Sequence, residues 1–265
     1  AAADIFAHRR FVKRELYAGL MHFFLFWGIT VLLIATTIGA LEFNFHHYNP
    51  FNFDFPTARF RVQEDFIWDV FGGGFATIGL TMAAIRRYVL RPSRLNTFAD
   101  DTYFLLFGFS LVFTGFIVEG LRIAGTNPSP PWAAPVGYLF SLMFDGMSDR
   151  TIGVTHATIY WIHVAIVIVA FLYLAIRFTK ISHVLFSPLN VLLRSDRPLG
   201  ALRPMGDLET LPSFGAGDIT GFTWKQLLDF DACTNNGRCE DVCPAHLSGK
   251  SLSPRKLIQS LRAYA

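Results

Sequence analysis

Apolar residues run through this chain in four long blocks: about Leu16–Ala40, Phe66–Leu90, Asp101–Ile123 and Ile152–Phe178. Each reaches the length of about 20 residues that a helix needs to cross a bilayer. None contains proline, and none carries a charge near its middle. A helix of a soluble bundle keeps a polar stripe. The runs Phe23-Phe24-Leu25-Phe26-Trp27 and Ile166-Val167-Ile168-Val169-Ala170-Phe171-Leu172 leave no room for one. A signal peptide would have a shorter apolar part and would stand alone. The pattern predicts an all-α membrane protein, a four-span transmembrane helical bundle.

The polar stretches divide the rest. Residues 1–15 read as an N-terminal tail, 16–186 as the transmembrane domain, 187–222 as an extended linker rich in Pro, Gly and Asp, and 223–265 as a cysteine-bearing region. Between spans, residues 41–65 are rich in Phe, Asn and Pro and are expected on the membrane surface. Residues 124–151 hold four prolines, followed by Val136–Phe144, too short to cross and expected as an interfacial helix. In the last region a short helix is expected over Trp224–Asp229. Another is expected over Ser253–Tyr264, with Ser253 as N-cap and Pro254 in its first turn. Gly72, Ala76, Gly79 and Ala83 form one small-residue ridge on span two, which predicts close packing against a neighbouring helix.

Charge sets orientation. Arg9, Arg10, Lys13 and Arg14 precede span one; Arg86, Arg87, Arg91 and Arg94 lie between spans two and three; Arg177, Lys180, Arg194, Arg197 and Arg203 follow span four. The other two loops hold Arg59 and Arg61, and Arg122 and Arg150, beside acids. The positive-inside rule then predicts a multi-pass protein of the cell's inner (plasma) membrane with both termini cytoplasmic. With 23 basic against 20 acidic side chains the net charge is only +3, and nothing argues for a nucleic-acid partner. Charged residues make up 16% against about 25% in soluble domains, in keeping with a lipid partner.

Two sets of residues carry candidate chemistry. Among eight histidines, His22 lies early in span one, His163 within span four with His156 one heptad before it, and His183 just past the inner end of span four. A histidine in lipid needs a partner for its polar nitrogens, and haem ligation between helices supplies one. The bland alternative is a hydrogen bond to a neighbouring carbonyl. His22 and His183 are both expected at the cytoplasmic depth. His163 is about 30 Å from His183 along an ideal helix at 1.5 Å per residue and on the opposite face, so both can serve one neighbour only if the helix bends. Leu32 stands where an outer partner for His163 would be. His8, His46 and His47 read as solvated.

The second set is Cys233-Thr-Asn-Asn236-Gly-Arg-Cys239-Glu-Asp-Val-Cys243-Pro244. It fits the iron–sulfur spacing C-x2-C-x2-C-x3-C-P at three cysteines and the proline, with Asn236 in place of the second cysteine. A zinc site would want CxxC pairs. In two-cluster proteins the cysteine before proline serves the other cluster, which assigns Cys233 and Cys239 to one centre and Cys243 to another. Neither is complete within the chain, so further cysteines are expected from beyond Ala265 or from a partner. Asn236 implies a cubane with one iron labile or missing (4Fe–4S or 3Fe–4S), or a lost cluster.

On these residues the chain resembles a known family. His22 and the segment from Tyr160 to Phe186 that holds His163 and His183 are similar to the cytochrome b (gamma) subunit of respiratory nitrate reductases. The segment from Cys233 to Ile258 resembles heterodisulfide-reductase-like iron–sulfur proteins. The fusion looks like membrane-bound oxidoreductases that link electron-transfer flavoprotein to menaquinone. The resemblance implies a ferredoxin-like fragment after the bundle and one or two haems b, with His22 and His183 as the inner pair and His163 as an outer ligand. It also implies a quinone as substrate, a flavoprotein or other redox subunit as partner, and a cysteine-rich region that continues past this chain. Arg14 and Lys180 would meet haem propionates. Two rival readings remain open from the residues: an anchor or assembly subunit with a degenerate cluster motif, and a transporter with a histidine proton relay, which leaves the cysteine run without a purpose.

Overall fold

The computed structural model describes residues 2–47, 65–128, 130–177, 182–194, 209 and 215–264. In chain order its helices are α1 (Ala2–Ile5), α2 (Arg9–Arg14), α3 (Leu16–His47), α4 (Ile67–Leu90), α5 (Ala99–Thr126), α6 (Pro135–Ser141), α7 (Asp149–Arg177), α8 (Ser182–Leu192), α9 (Trp224–Asp231), α10 (Arg238–Asp241), α11 (Pro244–Leu247) and α12 (Pro254–Tyr264). No strand occurs among the described residues. Four stretches are long and apolar enough to cross a bilayer: Leu16–Ile38, Ile67–Leu90, Ala99–Thr126 and Asp149–Tyr173. The all-α membrane class read from the sequence is therefore the observed one.

The chain divides into two compact units. The span unit holds Ala7–Arg91 and Thr97–Tyr173; the cysteine unit holds Ala1–Phe6, Pro92–Asn96 and Leu174–Ala265.

In the span unit, α3 and α4 meet along the small-residue ridge. Ala76 is 1% exposed. A Cβ added to Gly79 would lie 2.6 Å from the Leu25 backbone nitrogen, and one on Gly28 would lie 2.4 Å from that of Ala76. Only glycine permits this approach, the usual way helices pack where lipid supplies no hydrophobic drive. The first eight and last six residues of α4 take the wider π turn, flanking regular helix over Phe75–Ala84.

Ion pairs sit at the span ends, where charge can reach water. Arg86 pairs with Glu15, and Arg87 with Asp101 at 2.6 Å. At the opposite end Arg122 pairs with Glu119 at 2.6 Å and Asp65 at 3.1 Å. There the buried Asp69 carboxylate accepts the backbone N–H groups of Val136 (2.6 Å) and Gly137 (3.0 Å), anchoring the short helix α6. These are two of the orphan donors that any helix N-terminus presents.

Three boundaries differ from the sequence expectation. Helix α3 continues to His47, seven residues into the expected surface loop, because no proline stands before Pro50. The remainder of that loop, 48–64, lies outside the described residues. The tail of residues 1–15 is helical at 2–5 and 9–14. The expected linker begins as helix, since α8 runs through Pro188 to Leu192. It is held by α9: Ser187 Oγ donates to the Ala232 carbonyl at 3.4 Å, and Lys225 Nζ donates to Asn190 Oδ1. Most of the linker beyond Arg194 lies outside the described residues.

Candidate metal centre

The cysteine segment is framed by two capped helices. Thr223 and Gln226 form a capping box that starts α9. Ser253 Oγ accepts the Lys256 N–H at 3.0 Å and starts α12, the N-cap expected from the sequence. Between them the backbone turns left-handed at Asn235 (φ 56°) and Gly237 (φ 76°). Gly237 is required twice over. Its φ disfavours any side chain, and a Cβ there would lie 2.9 Å from the Arg94 carbonyl oxygen.

Cys233 and Cys239 line one cavity of about 320 Å³, together with Asn235, Asn236, Gly237 and Arg255. Cys243 is not among its lining residues. The two sulfurs that the spacing assigns to one centre thus share a cavity, and the third stands apart from it. The loop is left-handed at Asn235 and Gly237, on either side of Asn236, and presents the two thiols Cys233 and Cys239 to one cavity. Among the described residues no three of His, Cys, Asp or Glu converge as a metal set. Gln259 Nε2 donates to Cys233 Sγ at 3.3 Å, a contact of the kind that draws charge from a ligating sulfur. Partial desolvation pushes the Cys239 thiol above its ordinary range, and the Cys233 sulfur adds to this. A cation reverses that balance and holds both as thiolates.

Asn236 is engaged within its own turn. Its Oδ1 accepts the Arg238 N–H at 3.0 Å, and its Nδ2 donates to Thr234 Oγ1 at 3.1 Å. The amide closes the loop as an Asx turn.

Arginines clamp this region. Arg94 Nη1 pairs with Asp241 at 3.0 Å, and Arg255 donates to the Arg94 carbonyl at 2.8 Å while pairing with Glu240 at 2.7 Å. The hydrogen bond from Ser253, with Arg255 adding, holds the Glu240 carboxyl below the usual range. A depressed folded pKa contributes stability above the unfolded value, about 4.3 for Glu, and loses it as pH falls through the folded one. The cysteine unit is therefore expected to lose protection progressively below about pH 4.3, earlier than a Glu240→Gln variant changes with pH; amide hydrogen exchange across α12 measures this.

The histidines fall in different places. His163, on α7, bonds through Nδ1 to Thr114 Oγ1 at 2.7 Å. The Thr114 hydroxyl gives its one proton to the Ser110 carbonyl at 2.7 Å, so His163 must donate from Nδ1. Its Nε2 keeps a lone pair, the tautomer a ligating histidine adopts when its other nitrogen is fixed. His22, on α3, stacks on Phe11 at 5.4 Å with an interplanar angle of 3°. His183 lies on α8 in the other unit, half-buried. The solvated reading of His8 is wrong. It is 3% exposed, with its ring 4.7 Å from that of His22 and 5.1 Å from Phe26. The left-handed turn at His8 (φ 49°) folds the tail back onto α3, and no apolar periodicity in residues 1–15 signals that return. The side chains of His46 and His47 and residue Lys180 lie outside the described set; Arg14 is exposed.

Comparison with known proteins follows the same lines. The chain is 36% identical to the EtfAB:quinone oxidoreductase of Syntrophomonas wolfei over 271 residues, covering 98% of this chain and 36% of that protein. It is 27% identical to the probable iron-sulfur-binding oxidoreductase FadF of Bacillus subtilis with the same coverage. Over 67 residues it is 43% identical to a probable membrane-anchored ferredoxin of Chromohalobacter salexigens, 25% of this chain and 8% of that one. The chain spans about a third of the length of the first two relatives. No protein-family model and no solved structure matches it. The chain is a relative of membrane iron–sulfur oxidoreductases, the resemblance that its motifs carry.

Proposed function

We propose that this chain is the membrane and first iron–sulfur portion of a quinone-linked oxidoreductase, carrying electrons between a soluble flavoprotein donor and a quinone in the bilayer. The observation that carries the reading is the joint presence of four apolar spans and a two-cysteine cavity in one chain, similar over 98% of its length to a protein named as an EtfAB:quinone oxidoreductase. Cys233 and Cys239 hold one cluster, and Cys243 serves a second. A cluster supplies one-electron chemistry. The chain's part is to fix the thiolates beside α9 and α12 and to modulate the Cys233 sulfur through Gln259.

Haem b is part of the same proposal, with His22, His163 and His183 as ligand candidates. His163 fits through its free Nε2, with Thr114 holding the ring. The fit of His22 rests on its place near the cytoplasmic end of span one, between Phe11 and His8. The basic residues flanking α3 and α7 support placement in the plasma membrane with cytoplasmic termini.

A reduced-minus-oxidised optical spectrum of natively extracted protein, with iron counted chemically, tests the reading. The expected result is broad iron–sulfur bleaching plus a b-type band that His163→Leu diminishes. A colourless, iron-free preparation overturns the proposal. Iron that no reductant alters would favour the anchor reading instead.

A further inference from the structure

The basic residues ahead of span one are carried on a segment that the fold fixes in place. His8 takes a left-handed turn (φ 49°) and is 3% exposed. The turn lays α2 back along the start of α3. Phe11 stacks on His22 with ring centroids 5.4 Å apart. Val12 meets Gly19 so closely that an added Cβ would lie 2.6 Å from the Val12 backbone. Gly19 and His22 share one face of α3, so α2 runs beside the first two turns of the span. Phe11 and Val12 are half-buried there, while Arg9, Lys13 and Arg14 are exposed. Arg9 and Lys13 stand four residues apart, neighbours on one helix face. The acid of segment 8–15 is Glu15, and it is engaged by Arg86. The positive charge on α2 therefore has no spare carboxylate within its own segment to answer it.

We propose that α2 is a docking surface for anionic phospholipid, in which Arg9, Lys13 and Arg14 hold headgroup phosphates at the edge of the bilayer. The first candidate span begins at Leu16, directly after this segment. His22 lies six residues further on, about 9 Å at 1.5 Å per residue. Stacking on it carries the Phe11 ring inside the apolar boundary, and the long basic side chains reach back to the level of the phosphates. Guanidinium groups meet a phosphate with paired donors, and the Lys13 ammonium meets it as a point charge. The surface is built before any lipid arrives. His8, Phe11 and Gly19 fix α2, so little chain order is lost on binding. Leu16 and Leu20, 61% and 37% exposed on the first turns of α3, open onto the layer that acyl chains fill. That apolar continuation favours a lipid over a free anion. The inference stands on the membrane fold and needs no prosthetic group.

The test places the full chain in nanodiscs of phosphatidylcholine alone, or of phosphatidylcholine and phosphatidylglycerol in equal parts. Amide hydrogen exchange is followed across residues 8–15. Each basic side chain near an anionic membrane surface strengthens association by about fivefold. Phosphatidylglycerol should therefore slow exchange in this segment by roughly tenfold or more at low salt, and high salt should remove most of that slowing. A variant combining Arg9→Gln, Lys13→Gln and Arg14→Gln should lose the phosphatidylglycerol effect. Its exchange in phosphatidylcholine should match that of the unaltered chain, because His8, Phe11 and Val12 remain. Inorganic phosphate added to phosphatidylcholine discs should leave exchange unchanged. Exchange across 8–15 that is the same in both membranes overturns the inference, whatever the variant does. Equal slowing in the variant also overturns it, since the effect then comes from the membrane surface as a whole. Inorganic phosphate that slows exchange as much as the lipid does overturns it as well, by making the site one for a free anion.

Discussion

On the proposed cluster assignment, Cys239→Ser is expected to remove one iron–sulfur centre while leaving a second centre in place. Cys243→Ser should do the reverse, sparing the centre in the cavity. The separation follows from geometry: Cys233 and Cys239 share one cavity and Cys243 does not line it. Serine keeps the size of the side chain and supplies a poorer donor for iron, so the fold should survive. Loss of an outer-shell contact typically costs about 10- to 100-fold in metal affinity, and loss of a ligand from a site already short of one should cost at least that. Resonance spectra of each variant at two temperatures distinguish the centres. If both substitutions erase the same signal, the assignment of the cysteines to separate clusters is wrong.

Gly79→Ala should destabilise the span unit despite a better helix former at that position. Alanine gains up to about 1 kcal/mol over glycine in a helix interior. Against this, the new Cβ would sit 2.6 Å from the Leu25 backbone nitrogen. A backbone atom cannot rotate away, so α3 and α4 must separate; overpacking costs about 1–3 kcal/mol, and a backbone neighbour puts this case at the upper end. The clash wins. Gly153→Ala in α7, where no atom lies within 4 Å of the added carbon, should be neutral or stabilising by several tenths of a kcal/mol. Unfolding of both variants in mixed detergent micelles, titrated with a denaturing detergent, reads the difference. Equal behaviour of the two would reject the packing account.

Much of this was legible before the fold. Unbroken apolar runs have one solution in a bilayer, a helix that satisfies its own backbone, so the spans could be read directly. The ridge on α4 was legible for a similar reason, since small residues at helical spacing are rarely solvated in lipid. The cysteine spacing pointed to the same segment, where the fold brings Cys233 and Cys239 to one cavity and leaves Cys243 off its lining. What escaped were contacts made by short or irregular segments. The burial of His8 depends on one left-handed residue, and the anchoring of α6 depends on an aspartate whose partners lie 67 and 68 positions away. No periodic pattern encodes either. The Asx turn of Asn236 has a local signal in Asn-Asn-Gly, a turn-rich triplet.

The cysteine unit is assembled from three separated stretches of chain, with Arg94 between two membrane helices reaching Asp241. A soluble fragment cut after span four would keep every cysteine and lose that arginine. It would also lose the carbonyl that Arg255 grips and the wall against which Gly237 rests. Excision is therefore the wrong route to studying these thiols. Reconstitution of iron belongs in the whole chain, where Pro92–Asn96 remains part of the cysteine unit.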